Sequence, residues 1–284
     1  MNEPTPTPCP LVPDPRGALG NVGTAMKGSV VTQPGIKEVA RAWDVEAPIR
    51  SAELLGEADS VYAALTDFLE STILNLTGGA RCRVLDAGCG VGFVSARLAE
   101  LGYALTGTDV SRTSVEIART IHHGPPALRF EVDDPVAPRS SWCDGYDVAL
   151  ANMVVHNTPD INSFLAKIAG VLESEGILVL TTTDPRAYLR KQGIEHDYGV
   201  ERRFEFPLRP CDATSAREAV PYWHRPLGAY YDALREAGFA RALQIRPERL
   251  GGRRADDVLA IVATKSSSPE STRDLAFGWV KVFS

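Results

Sequence analysis

The chain has 284 residues, 44% of them hydrophobic and 23% charged, enough to bury one substantial core and carry an appendage. A formal net charge of −6 gives no overall attraction to a phosphate backbone. The local basic cluster Arg246, Arg249, Arg253 and Arg254 is interrupted by Glu248 and followed by Asp256 and Asp257, so nucleic acid is not an expected partner. No apolar run reaches the roughly 18 residues of a membrane span, and the first residues lack the basic and apolar regions of a signal peptide. Cys9, Cys82, Cys89, Cys143 and Cys211 are scattered with no CxxC spacing. These features predict a cytoplasmic protein with reduced thiols, no metal site and no membrane partner.

Residues 1–34 are rich in Pro, Gly and Thr and read as a flexible N-terminal arm. From Gly35 the pattern turns helical, with Ile36, Val39, Ala40 and Trp43 in register. After a break expected at Pro48, a longer helical face runs from Leu54 to Leu76 and stops at Thr77-Gly78-Gly79. Strands and helices then alternate: strand 83–87, helix 93–101, strand 104–109, helix 111–123 capped by Ser111, strand 128–132, strand 146–151, helix 160–173 stopped by Gly176, and strand 177–182. The rhythm fails between Pro185 and Pro226, where charged residues mix with Tyr188, Tyr198, Phe204, Phe206, Tyr222 and Trp223, and this stretch reads as an inserted, substrate-facing segment. A helix over 226–237 and strands over 240–245 and 258–264 complete the sheet. Ser266-Ser267-Ser268-Pro269 then links to a tail, 266–284 in all, whose Trp279, Val280, Val282 and Phe283 could dock or meet a neighbouring subunit, leaving a homo-oligomer open. The resulting fold class is α/β, a Rossmann-like, doubly wound and mostly parallel seven-stranded sheet, with a helical lid over 35–79 and a core over 80–265.

The chemistry concentrates at the ends of the strands. Val84-Leu85-Asp86-Ala87-Gly88-Cys89-Gly90-Val91-Gly92 joins a buried strand to a helix through three alternate glycines, a turn that lets a ligand approach the backbone. The third glycine is placed differently from that of the GxGxxG dinucleotide fingerprint. Asp86 supplies an acceptor suited to a cationic amine, whereas a pyrophosphate would ask for a basic partner. Asp109, followed by Val110, lies where a ribose would sit in a nucleotide-binding doubly wound fold. Asp133 and Asp134 close the third strand, and either could meet the exocyclic amine of an adenine. His156, just past the fourth strand, is the best-placed candidate for a general base, with pocket-wall packing as its other reading; His224 in Tyr222-Trp223-His224-Arg225 divides the same way. His122-His123 reads as a helix terminus, not a metal site.

DxGxGxG from Asp86 to Gly92, the Asp109 strand end, the Asp133-Asp134 strand end, and Tyr146-Asp147-Val148-Ala149-Leu150-Ala151-Asn152-Met153 leading to His156-Asn157 resemble the ordered motifs of class I S-adenosylmethionine-dependent methyltransferases. The resemblance covers roughly 35–265. It implies S-adenosylmethionine as cofactor, with Asp86, Gly88, Gly90 and Gly92 at its methionine part, Asp109 with Val110 at the ribose, Asp134 ahead of Asp133 at the adenine, and Asn152 and Met153 beside the methyl donor. The stretch 220–239 is similar to the late region of small-molecule members, which implies a metabolite or natural-product acceptor methylated on O, N or C. Two rival readings are a non-catalytic S-adenosylmethionine-binding protein on the same fold and a nicotinamide-dependent oxidoreductase, the latter disfavoured by the third glycine.

Overall fold

The structure, a computed structural model, describes residues 35–56, 60–124, 126–132, 145–191, 193–207, 219–245 and 257–265. The expected arm, tail and arginine cluster, and also Asp133 and Asp134, lie outside the described residues.

Seven strands form one sheet: β1 (Arg83–Ala87), β2 (Ala104–Asp109), β3 (Leu128–Val132), β4 (Tyr146–Asn152), β5 (Leu172–Thr183), β8 (Arg241–Ile245) and β9 (Val258–Thr264). Their order across the sheet is β3-β2-β1-β4-β5-β9-β8. The first five are mutually parallel, whereas β9 runs antiparallel to both β5 and β8. This is the mostly parallel, doubly wound sheet expected from the alternation of strands and helices. Strand order reverses between β1 and β4, and in open α/β sheets ligands bind outside the carboxyl ends of the strands at such a point.

Strand periodicity sorts the core into two layers. On one face Leu85, Ala149, Ala151, Leu178, Leu180 and Ile261 pack against α5 (Ile161–Val171) and α7 (Leu227–Glu236), through Phe164, Leu165, Ile168, Tyr230 and Leu234. On the other, Val84, Val148, Leu150, Val179 and Val262 pack against α2 (Ser60–Thr77) and α3 (Phe93–Glu100), through Leu65, Leu69, Ile73, Val94 and Leu98. Helix α4 (Arg112–Ile121) closes a smaller cluster of Val115 and Ala118 on Cys89 and Phe130.

Two boundaries differ from expectation. The N-terminal helix α1 (Ile36–Leu55) runs through Pro48 and ends at Gly56, so the break lies eight residues later than the proline suggested. Pro48 removes one helical donor. Asp44, one turn before it, anchors the helix elsewhere by accepting from Ser111 Oγ at 2.7 Å and Thr113 N at 3.0 Å on α4. Helix α5 ends at Val171, not at the Gly176 stop, and β5 begins at once. There Lys265 Nζ donates to the carbonyls of Ala169 and Leu172 at 2.8 and 2.7 Å, placing a cation on the negative end of the helix.

The segment that seemed to lack rhythm contains α6 (Pro185–Lys191), a 3-10 turn at Glu195–Asp197, and a separate two-stranded antiparallel sheet of β6 (Arg202–Pro207) and β7 (Ala219–His224). Arg203 of β6 reaches Glu38 of α1 at 2.8 Å, so this small sheet and the first helix are tied together.

Candidate active site

The turn after β1 is built on the absence of side chains. Gly88, Gly90 and Gly92 all have positive φ, at 83°, 53° and 83°. A Cβ on Gly88 would lie 2.5 Å from Val154 Cγ2, and one on Gly92 would lie 2.6 Å from Phe130 Cζ. At Gly90, by contrast, a Cβ would meet nothing within 4 Å, so this glycine presents an open backbone face. The turn is stitched to β2: Gly88 N and Cys89 N both donate to the Thr108 carbonyl, at 2.7 and 2.9 Å. Gly90 N donates to Asp109 Oδ2 at 2.9 Å, and Ser111 N to Asp109 Oδ1 at 2.8 Å. Asp109 therefore braces both the glycine turn and the start of α4, while a carboxylate keeps further lone pairs for a ligand. From beneath, His122 donates through Nε2 to the Val91 carbonyl at 3.0 Å, its ring edge-on to Phe93.

Asp86 is almost wholly buried. Its Oδ2 accepts from Ser95 Oγ at 2.6 Å, and its Oδ1 has no partner within the protein. A buried carboxylate oxygen left unpaired is costly, and such a group calls for a donor from a ligand or a solvent molecule. Burial pushes the Asp86 carboxyl up to about 7, with the Ser95 hydrogen bond opposing and the Asp109 charge adding to the rise. Burial likewise raises Asp109 to about 6, against the backbone donors of Ser111 and Gly90, and the nearby Asp44 adds to it. Two desolvated acids beside an open glycine face make a site that favours a cation. These acceptors therefore fit the amine and ribose of S-adenosylmethionine, and among the described residues of the site no Lys or Arg is bonded to them for a phosphate.

The end of β4 forms the opposite wall. Asn152 Oδ1 accepts from Thr181 Oγ1 at 2.6 Å. Met153 N donates to the Thr181 carbonyl at 3.0 Å, and Met153 is the one non-glycine among the described residues with positive φ, 55°. The chain then enters a 3-10 turn, Val155–Asn157. His156 lies there with Nδ1 3.0 Å from Thr182 Oγ1 and its ring 5.3 Å from that of Tyr222, which in turn stacks on Tyr188 at 3.9 Å. Burial, aided by the charge of Arg225, lowers the His156 imidazole to about 4, so it is neutral at physiological pH.

Comparison with known proteins places this arrangement. The sheet order and the glycine turn at its switch point are those of the class I methyltransferase fold. Residues 85–178 match the family described as "Methyltransferase domain". Over 101 residues the chain is 30% identical to a ubiquinone biosynthesis O-methyltransferase of Bartonella quintana, covering 35% of this chain and 40% of that protein. Over 119 residues it is 33% identical to a magnesium-protoporphyrin O-methyltransferase of Rhodobacter capsulatus, covering 40% of this chain and 50% of the relative. The chain thus spans half or less of the length of these curated relatives. Among solved structures, a Burkholderia thailandensis 1,6-didemethyltoxoflavin-N1-methyltransferase with bound 1,6-didemethyltoxoflavin and S-adenosylhomocysteine shares the fold, with a TM-score of 0.56 at 19% identity, covering 85% of this chain and 94% of that one. Residues 85–178 thus carry a methyltransferase domain on the fold that S-adenosylmethionine-dependent methyltransferases share, and the acceptors at its glycine turn fit that cofactor.

Of the residues singled out from sequence, the structure gathers Asp86, Gly88, Gly90, Gly92, Asp109 and Val110 at the ends of β1 and β2, and Asn152, Met153 and His156 at the end of β4. His224 is in a different network. Its Nε2 donates to the Tyr198 carbonyl at 2.9 Å, its Nδ1 is buried without a partner, and burial lowers its pKa. This bonding holds the turn before β6 to β7 and sets His224 apart from the His156 network. Arg225, which the sequence offered beside His224 and with Arg202 and Arg203 as a candidate contact for an anionic acceptor, instead bonds the turn 155–159, and Ser95 and Thr182 join the network although no motif marked them. Ser95 was findable in retrospect as the one hydroxyl in the first turn of the helix after the glycines.

Proposed function

We propose that the protein transfers a methyl group from S-adenosylmethionine to an uncharged aromatic or heteroaromatic small molecule, of the kind found in secondary metabolism, on O, N or C. The observation that carries this reading is the pairing of an acidic, glycine-faced donor site with a neutral histidine held at the end of β4. When bound, the cofactor supplies a sulfonium methyl open to in-line displacement. Asp86 takes the amine on its unpaired oxygen, Asp109 takes ribose hydroxyls, and the expected adenine partner is Asp134 or Asp133. Helix α1 acts as the lid, whereas α2, in the same 35–79 stretch, is a layer of the core, and the segment 185–227 faces the acceptor. Closure excludes water and aligns the reacting atoms, which can supply roughly 7–11 kcal/mol of a barrier. For an acceptor that carries a proton, His156 serves as base. That role requires Nδ1–H to donate to Thr182 Oγ1, which leaves the Nε2 lone pair free.

Among the described residues of the acceptor-side segment, Arg202, Arg203 and Arg225 all have partners, which favours an uncharged acceptor. Arg202 pairs with Asp197 at 2.9 Å, Arg203 with Glu38 and Glu205, and Arg225 with backbone carbonyls. Tyr188, Tyr222 and Phe204 supply the aromatic wall. The test is incubation with S-adenosylmethionine and a chemically diverse acceptor panel, with S-adenosylhomocysteine and methylated product read by mass spectrometry. Cofactor binding without product across phenols, heteroaromatic amines and enolic acceptors would instead support a non-catalytic binding protein.

A further inference from the structure

We propose that Arg225 is a positioning residue for methyl transfer, a guanidinium clamp that holds the turn 155–159 and with it the His156 ring. The inference rests on the methyltransferase reading above.

Arg225 follows β7 directly and its side chain is only 4% exposed. Its guanidinium spends its donors on backbone: Nη1 to the Val155 carbonyl at 3.1 Å, and Nη2 to the carbonyls of Thr158 at 2.7 Å and Pro159 at 3.0 Å. The nearest carboxylate, Glu201, is 4.0 Å away and 61% exposed, so the carbonyls and not an ion pair hold this charge. The planar fork reaches the three carbonyls from two separate nitrogens, whereas a lysine ammonium would have to reach them from a single atom on a flexible stem.

A second bond makes the clamp rigid. Asn157 Nδ2 donates to the Pro221 carbonyl of β7 at 2.6 Å, four residues before Arg225. The turn is therefore held to β7 from two sides, and His156 lies between them with Thr182 behind it. Since β7 pairs with β6 and Arg203 of β6 reaches Glu38 of α1, the position of the imidazole follows that of the whole acceptor-side segment.

The guanidinium also acts through its charge. The titratable groups around the turn are Tyr222 on β7, in ring contact with His156; Tyr188, Tyr230 and Asp184, which bear on Tyr222; and Asp160 and Glu201, which bear on Arg225. Of these neighbours, Arg225 is the one whose charge lowers the His156 pKa. Arg225 thus fixes where the ring lies, and its charge adds to burial, the larger cause, in keeping the ring uncharged.

The test compares Arg225→Lys and Arg225→Met in the full chain, each first shown to keep the wild-type circular dichroism. In Arg225→Lys the charge stays and the fork is lost. We expect kcat to fall about 100-fold, the cost of a misplaced reacting group, with S-adenosylhomocysteine affinity within twofold of wild type and the histidine titration unmoved. In Arg225→Met the titration of His156, followed by NMR and assigned by its loss in His156→Gln, should move up by about one pH unit. Wild-type kcat in Arg225→Lys, or an unmoved titration in Arg225→Met, overturns the proposal. If Arg225→Met does not fold, the kcat of Arg225→Lys decides. The NMR titration needs no turnover, so a failed acceptor screen and a failed clamp give different results.

Discussion

The donor side and the acceptor side of this site are held by different means. The donor side is backbone: three glycines with positive φ, stitched to β2 through Thr108 and Asp109, within a short stretch of chain. The acceptor side is side chain: Asn157, Thr182 and Arg225 bond a turn to elements 26 to 70 residues away. The first arrangement fixes a ligand that never varies, and the second leaves the shape of the wall to side chains that can. The contrast teaches that substitutions on the two sides should separate cofactor binding from turnover.

The largest separation is expected from His156→Gln. Turnover of a protonated acceptor should fall about 100-fold or more, while calorimetry with S-adenosylhomocysteine stays within twofold of wild type. Unchanged turnover would remove His156 as a base and leave it a wall residue.

The next effect lies within the glycine turn and sharpens what "backbone" means there. Gly92→Ala should lose about 2–4 kcal/mol of stability, because a Cβ 2.6 Å from Phe130 adds a clash to an unfavourable φ. Gly90→Ala should lose only about 1–2 kcal/mol, the backbone cost alone. Its methyl would stand on the open face, and S-adenosylhomocysteine affinity should fall tenfold or more, on the order of 1.4 kcal/mol. Thermal unfolding and calorimetry separate the pair, and equal stability loss in both would contradict the open-face assignment.

Asp86 and Asp109 make the donor side sensitive to pH in a way the acceptor side is not. With carboxyls raised to about 7 and about 6, both take up protons in the free protein as pH falls through that window. A ligand carrying an ammonium group binds the ionised acids better. Affinity should therefore rise from pH 6 through pH 7 and level off about one pH unit above the Asp86 value, and binding should release protons. Calorimetry at pH 6.5 in two buffers of different ionisation enthalpy measures that release directly; no release would mean that the acids are already ionised.

The smallest effect is expected from Asp44→Ala. It removes the acceptor of two hydrogen bonds that hold α1 to α4, worth about 1 kcal/mol net each. S-adenosylhomocysteine affinity should drop roughly three- to tenfold, with a faster off-rate in stopped-flow measurements if α1 acts as the lid.

The same contrast explains what the sequence made legible. Strand and helix order, the Ser111 cap and the cluster Asp86, Gly88, Gly90 and Gly92 follow from local rules, since each residue acts on its immediate neighbours. The end of α5 did not, because its cap is Lys265, 93 residues away. The course of α1 through Pro48 depends on Asp44 meeting α4. Arg225 in the sequence is one arginine beside a proline, and only the fold brings it under the carbonyls of 155–159. His224 drew notice for its residue type, and its bond to the Tyr198 carbonyl, 26 residues away, is visible only in the fold.

Gly88 and Val154 join the two halves. The Val154 side chain fills the space that any Cβ on Gly88 would need, and Met153 adopts its left-handed backbone immediately before it. The cofactor loop and the turn bearing His156 are thus in direct contact at one valine. A methyl group added to the loop at Gly88 would push against the chain that carries the histidine, so the spacing of loop and turn is set by a side chain that is missing.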